Sequence, residues 1–181
     1  MAYFKNFPKI SYNGITARNL LLKSAIVAEV FAKKNAFYPY IVQDAYRPDM
    51  VAGEVYGSPF YDWVVYFSNS IVDPYYDWPL SSNDLDLFMQ KKHGKTKYEL
   101  MNTISYYEYT GITSDSREDV ARKSWKMSPD THAMIDNTAG WSAVTIYDEE
   151  VRVNDSKRSI QLLSPIYLGQ IETELGSIFN K

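Results

Sequence analysis

Hydrophobic positions along this 181-residue chain change their spacing several times, and each change marks an expected element. Leu22, Ile26 and Val30 stand four residues apart, flanked by Leu20, Val27 and Phe31, which is the stripe of an amphipathic helix. Thr16 is its candidate N-cap, and Lys33, Lys34 and Asn35 supply the cations and the stop that suit its end. Before it, Tyr3, Phe4, Phe7, Ile10, Tyr12 and Ile15 are interrupted by Pro8 and Gly14. Pro8 pushes Phe7 toward extended geometry, so this stretch predicts an extended arm with aromatic anchors.

From Tyr38 to Val42 a short strand is expected, with Pro39 at its start or on an edge. Pro48 then suits a first helical turn, Val51 and Val55 share a face, and Gly57 supplies the left-handed stop. Ser58 and Pro59 open a second helix, in which Phe60, Trp63, Val64 and Phe67 recur at helical spacing and form the expected core stripe. Asn69 and Ser70 end it. Asp73-Pro74 turns the chain into an extended exit through Tyr75, Tyr76 and Trp78.

Farther on, Ser82 or Asn83 caps a helical turn holding Leu85, Leu87, Phe88 and Met89, and Lys91 to Lys97 reads as a solvated basic loop. Tyr98 to Tyr109 predicts one or two strands, and Thr110 to Asp119 is polar and turn-rich, a candidate mobile insertion. Val144, Ile146, Val151 and Val153 suggest a strand joined to Ile160–Leu163 through a hairpin turn at Asn154-Asp155-Ser156. Ser164-Pro165 opens a last helix lined by Ile171, Leu175 and Ile178. The expectation is an α+β protein with four parts: an arm and helix over 1–36, a strand-helix-helix-strand core over 37–97, an irregular insertion over 98–139, and C-terminal strands and helix over 140–181.

Composition narrows the function. With 45% hydrophobic residues the chain can bury a core. The net charge of −3 offers nothing to a phosphate backbone, so nucleic acid is not an expected partner. No uncharged apolar run reaches about 18 residues, so no membrane span is expected, and the N-terminus lacks the apolar region of a signal peptide. The absence of cysteine removes disulfides, thiolate nucleophiles and thiolate metal sites. Tyrosine, at 16 residues, joins an apolar ring to a polar tip and suits surfaces that are wet before assembly.

Catalytic chemistry finds little to work with. His93 and His132 are far apart and have no metal-type neighbours in sequence. Asp73 and Asp77 flank Tyr75 and Tyr76 beside Trp78, and paired carboxylates with stacking aromatics are what sugar hydrolysis uses. Asp is also among the commonest turn residues, and a turn is the stronger reading of this pair. Asp84 and Asp86 point to different sides of a helix, and Glu149 and Glu150 face opposite ways in a strand. No phosphate-loop, dinucleotide or HExxH motif is present. No enzyme, cofactor or metal is expected.

Two resemblances are carried by particular residues. Tyr40-Ile41-Val42, a helix ending in Tyr56-Gly57, and Asn69-Ser70-Ile71 resemble the LysM module, which binds N-acetylglucosamine chains. Here Gln43-Asp44-Ala45-Tyr46 replaces that module's usual Gly-Asp-Thr, so the resemblance implies the fold more than the sugar site, and a peptidoglycan-binding module is the alternative reading. The runs YGSPFYDWVVYFSN (Tyr56 to Asn69) and IVDPYYDWPLS (Ile71 to Ser81), with the Ser159 to Leu163 strand, resemble the small baseplate wedge subunit of T4-like contractile-tailed phages. That family implies a LysM-like structural connector in the virion tail baseplate, assembled in the host cytoplasm. Its implied partners are the large wedge subunits and the small sheath-initiating subunit, in several copies around the hub. Phe4, Phe7, Tyr12, Tyr75, Tyr76 and Trp78 are the candidate interface residues, since aromatic anchors give large contact area with few rotors to freeze.

Overall fold

The computed structural model describes residue 4 and residues 7–19, 35–111 and 125–179. The helix expected around Leu22, Ile26 and Val30, and the polar insertion beyond Gly111, lie outside the described residues. Helices and strands are both well represented, as the α+β reading requires. The chain divides into two units, Met1–Pro79 with Lys157–Lys181, and Leu80–Ser156.

The first unit opens with a hairpin of β1 (Lys9–Tyr12) and β2 (Ile15–Arg18), not an extended arm, and Thr16 lies in a strand instead of capping a helix. Asn13 and Gly14 both take positive φ, 49° and 77°, the requirement of the two-residue turn that matches strand twist. The strand β3 (Phe37–Ile41) runs antiparallel to β7 (Ser159–Leu163), with Phe37 opposite Leu163 and Ile41 opposite Ser159. Between them in the chain come α1 (Pro48–Tyr56) and α2 (Asp62–Ser68). Pro48 starts α1 and Gly57, at φ 75°, ends it.

The Ser58 hydroxyl accepts the Phe60 N–H at 3.4 Å, but Pro59–Tyr61 is a single 3-10 turn and the α-helix begins only at Asp62. That change of pitch breaks the phase of the apolar stripe. Trp63 and Val64 are buried and Phe67 is half-buried, whereas Phe60 is 63% exposed and is not a core residue.

Among the described residues, two clusters form the core of this unit. Val42, Val51, Ala52, Val65, Trp78, Ile160 and Leu162 make one. Trp63, Val64, Leu163 and Leu175 make the other, with Phe37, Phe67, Leu168 and Ile171 packed against it. Leu168 and Leu175 belong to α8 (Leu168–Phe179), the expected last helix, although it follows a 3-10 turn at Pro165–Tyr167; the Ile178 side chain lies outside the described residues. The exit from α2 is also helical, not extended: α3 (Pro74–Asp77) is one turn, capped by the Asp73 carboxylate. The second strand of the strand-helix-helix-strand order is therefore β7, brought from far along the chain.

The second unit begins with α4 (Ser82–His93), capped by Ser81 and ended by Gly94 at φ 63°. The expected basic loop is thus the last turn of a helix, where cations suit the dipole, followed by the start of another. That next helix, α5 (Lys97–Asn102), has a complete capping box between Thr96 and Glu99. Three strands follow in the order β5 (Lys126–Met127), β4 (Ile104–Tyr109), β6 (Trp141–Thr145), with the one-turn helix α6 (Pro129–His132) between β5 and β6 in the chain.

The strand expected over Ala143–Val153 stops at Thr145, whose hydroxyl accepts the Asp148 N–H at 3.1 Å, and α7 (Ile146–Ser156) follows. Ile146, Tyr147 and Val151 of α7, with Leu80, pack on Leu85, Met89 and Leu100. Asn154-Asp155-Ser156 is consequently the end of a helix and not a hairpin turn. Buried Asn154 accepts the Leu80 N–H at 2.8 Å and donates to the Leu80 carbonyl at 3.0 Å, acting as a substitute peptide group. Neither 97/98 nor 139/140 separates the two units, because α4, α5 and α7 share one core.

Candidate interface

At the exit of α2 the side chains of Val72, Tyr75 and Tyr76 stand 87%, 88% and 68% exposed. The backbone that presents them is held from several sides. Asp73 accepts the Tyr75 N–H at 3.0 Å, Asp77 accepts the Asp73 N–H at 3.2 Å, and the Lys157 ammonium donates to the Tyr76 carbonyl. Asp73 and Asp77 are thus turn-forming groups, the stronger of the two readings offered for them. Trp78, the third aromatic of this run, turns inward to the core, its indole N–H donating to the Tyr46 carbonyl at 2.9 Å. It is removed from the candidate interface: an indole with its one polar atom satisfied is better packed than left in water.

The hairpin separates the remaining candidates. Phe4 and Tyr12 are exposed, whereas Phe7 is buried and its carbonyl accepts a hydrogen bond from the Arg18 guanidinium at 3.1 Å. Phe7 therefore anchors the hairpin to its own chain. Facing residues of antiparallel strands share a side, and so do residues two apart. Ile10, Tyr12, Ile15 and Ala17 consequently lie on one face, and Lys9, Ser11, Thr16 and Arg18 on the other. The aromatic reading of the arm missed this complete alternation, although Asn13-Gly14 between the two runs was its signal.

The second unit carries a polar network instead. Arg152 pairs with Glu108 at 2.9 Å and with Glu149 at 2.6 Å, and the Tyr106 hydroxyl donates to Glu149 at 2.7 Å. The Tyr106 hydrogen bond, with help from Arg152 and Lys126, holds the Glu149 carboxyl below its ordinary range against the opposing effect of burial. Burial would raise Glu150, but the hydrogen bonds from Lys92 and His93, at 2.7 and 2.8 Å, outweigh it, and its carboxyl also titrates low. His93 is accordingly held by its hydrogen bond to Glu150, and His132 stacks on Tyr107 with ring centres 3.5 Å apart. Among the described residues no group of His, Asp and Glu is arranged to hold a metal ion.

A group with a lowered folded pKa contributes stability above its unfolded value, here near 4.5, and loses it as pH falls through the folded value. Glu150→Gln is therefore expected to destabilise the protein most at neutral pH, with the gap to the wild type closing as pH falls below the ordinary carboxylate range. Paired thermal melts between pH 3 and 7 measure this. A pH-independent gap would mean that the ion pair is not the source.

Exposed aromatic and apolar side chains on a hydrogen-bonded backbone are the form of a contact surface. Residues 3–98 match the model of a family described as base plate wedge protein 53. The chain belongs to this family of phage tail baseplate proteins. It is also similar to the baseplate wedge protein gp53 of Enterobacteria phage T4, 25% identical over 157 residues that cover 78% of this chain and 73% of the relative. Its class is that of a structural baseplate component. The sugar-binding alternative gains no support from either match.

Proposed function

We propose that this protein ties neighbouring wedges of the baseplate together through protein-protein contacts, without turnover or cofactor, and that its partners are the larger wedge subunits and the sheath-initiating subunit. Several copies would stand around the hub, placed there by assembly in the host cytoplasm. The observation that carries the reading is the stapled turn that presents Val72, Tyr75 and Tyr76 to solvent. Two exposed tyrosines on an ordered turn lose little entropy on binding, the quality of an interface hot spot. Around a ring, each later contact is effectively intramolecular, so modest affinities suffice.

The test is co-expression with the wedge proteins of the same phage, followed by size exclusion. The wild type is expected to co-elute with a wedge protein. The double variant Tyr75→Ala/Tyr76→Ala is expected to bind more weakly by about 2–4 kcal/mol with an unchanged melting midpoint. Separate elution of the wild type would sink the proposal.

A further inference from the structure

Asn13 is the one asparagine of the sequence that is followed by glycine, and the pair forms the tip of the β1–β2 hairpin. Both residues are exposed, and a Cβ at Gly14 would meet no atom within 4 Å, so no neighbour closes off the peptide that joins them. The Asn13 amide makes no hydrogen bond among the described residues. Other asparagines are tied down: Asn69 to Val65 and Gln161, Asn102 to Tyr98, Asn154 to Leu80, and Asn137 to the Ala139 N–H. An amide held by such bonds is kept from turning its carbonyl carbon onto the following peptide nitrogen, and the Asn13 amide is not.

The turn itself opposes that approach. Asn13 and Gly14 both hold positive φ, and the turn must open before the Asn13 side chain and the Gly14 nitrogen align. Opening is easy at this end of the ribbon. The anchors, buried Phe7 and the Asn19 N–H that donates to the Pro8 carbonyl at 2.9 Å, stand at the other end. Tyr12 and Ile15, the pair that closes the turn, are each 70% exposed, so packing does little to hold it shut. A two-stranded ribbon is marginal in water, such segments open at little cost, and glycine passes freely through the conformations that opening requires.

We infer that Asn13 is a site of spontaneous covalent modification, through which the hairpin tip acquires a carboxylate. The Gly14 amide nitrogen attacks Cγ of Asn13. A bond from that nitrogen to Cγ forms, the bond from Cγ to Nδ2 breaks, and ammonia leaves with the proton that the Gly14 nitrogen has lost. Water then opens the cyclic imide. Addition at Cγ gives aspartate in an ordinary backbone; addition at the main-chain carbonyl gives isoaspartate, with the chain routed through the side chain. The balance is one water in and one ammonia out. Either product places a negative charge on a ribbon whose residues 9–18 include Lys9 and Arg18 and no carboxylate. The isoaspartyl form also adds a carbon to the backbone of a two-residue turn, whose length sets Tyr12 opposite Ile15, and so loses the register of the hairpin.

The experiment ages the full-length protein in mildly alkaline buffer and follows tryptic peptides by mass spectrometry. The peptide Ile10–Arg18, in which Asn13 is the sole asparagine, is expected to gain about one mass unit and split into two isomers. Conversion should be at least about tenfold faster than at Asn83 or Asn137, and Gly14→Ala should slow it about tenfold, since a Cβ hinders the attack. Asn13→Gln should abolish it. Hydrogen exchange of the isoaspartyl form should show lost protection in Lys9–Arg18 with α1 and α2 unchanged. A synthetic Ile10–Arg18 peptide supplies the rate of the unrestrained sequence. If the peptide converts while Asn13 of the protein stays intact, the turn protects the site and the inference is overturned. Conversion no faster than at Asn83 and Asn137 overturns it equally.

Discussion

Replacing Trp78 by Ala is expected to destabilise the protein by about 3–5 kcal/mol, the usual cost of emptying an aromatic site in a core. The indole lies among Val42, Val51, Ala52, Val65, Ile160 and Leu162, so its loss opens a void bordered by α1, α2 and both strands of the β3–β7 sheet. The substitution also removes the donor to the Tyr46 carbonyl. Trp78→Phe keeps most of the packing and loses only that bond, for a smaller cost of about 1–2 kcal/mol. Chemical denaturation followed by Trp fluorescence and far-UV circular dichroism measures both variants. If Trp78→Ala left stability unchanged while Tyr75→Ala lowered it, the inward and outward assignments of these two aromatics would be reversed.

Gly140→Ala is expected to destabilise the second unit strongly for so small a substitution. Gly140 holds φ at 82°, where a Cβ crowds the backbone, and that Cβ would stand 2.8 Å from the Tyr109 ring and 3.0 Å from the Gly111 Cα. Its carbonyl meanwhile accepts the N–H groups of Thr110 at 2.7 Å and Gly111 at 3.0 Å, so the backbone has little room to yield. The strain and the overpacking together amount to about 2–4 kcal/mol. Hydrogen exchange localises the effect, with the amides of β4 and β6 expected to lose protection before those of α1 and α2. Equal loss everywhere, or none, would show that the close crossing of Gly111 and Gly140 does not hold these strands.

Locally determined features were legible in the sequence, and remote ones were not. Pro48 and Gly57 bound α1 as their backbone preferences dictate, and Trp63 and Val64 are core because helical spacing places them on one face. Phe60 failed the same rule because a 3-10 turn stands between it and the helix. Thr96 and Glu99 announced α5, yet the lysines around them made the stretch look like a loop. In α7, Val151 and Val153 mimic strand alternation, while the residues that pack, Ile146, Tyr147 and Val151, keep helical spacing.

No residue near Tyr38 or Leu162 announces that β3 and β7 pair, since register across so long a separation depends on the assembled core. The candidate interface was half legible for the same reason. Tyr75, Tyr76 and Trp78 look alike in sequence, and only the position of the core decides that the indole turns inward.

Both edges of the β3–β7 sheet are blunted. Val42 N–H to Arg158 and Ser164 N–H to Ala36 place the even-numbered residues of β3 in the ladder, so Phe37, Pro39 and Ile41 point their backbone outward, where Pro39 has no N–H to offer. On the other edge the Asn69 amide accepts the Gln161 N–H at 2.7 Å and donates to the Gln161 carbonyl at 2.8 Å, and the Tyr56 hydroxyl donates to the Leu163 carbonyl at 2.9 Å. Side chains thus occupy the hydrogen-bonding positions that another strand would use. For a component of the baseplate, this is protection against polymerisation: a stray strand finds little to pair with along β7, and contact falls to side-chain surfaces instead of generic backbone pairing.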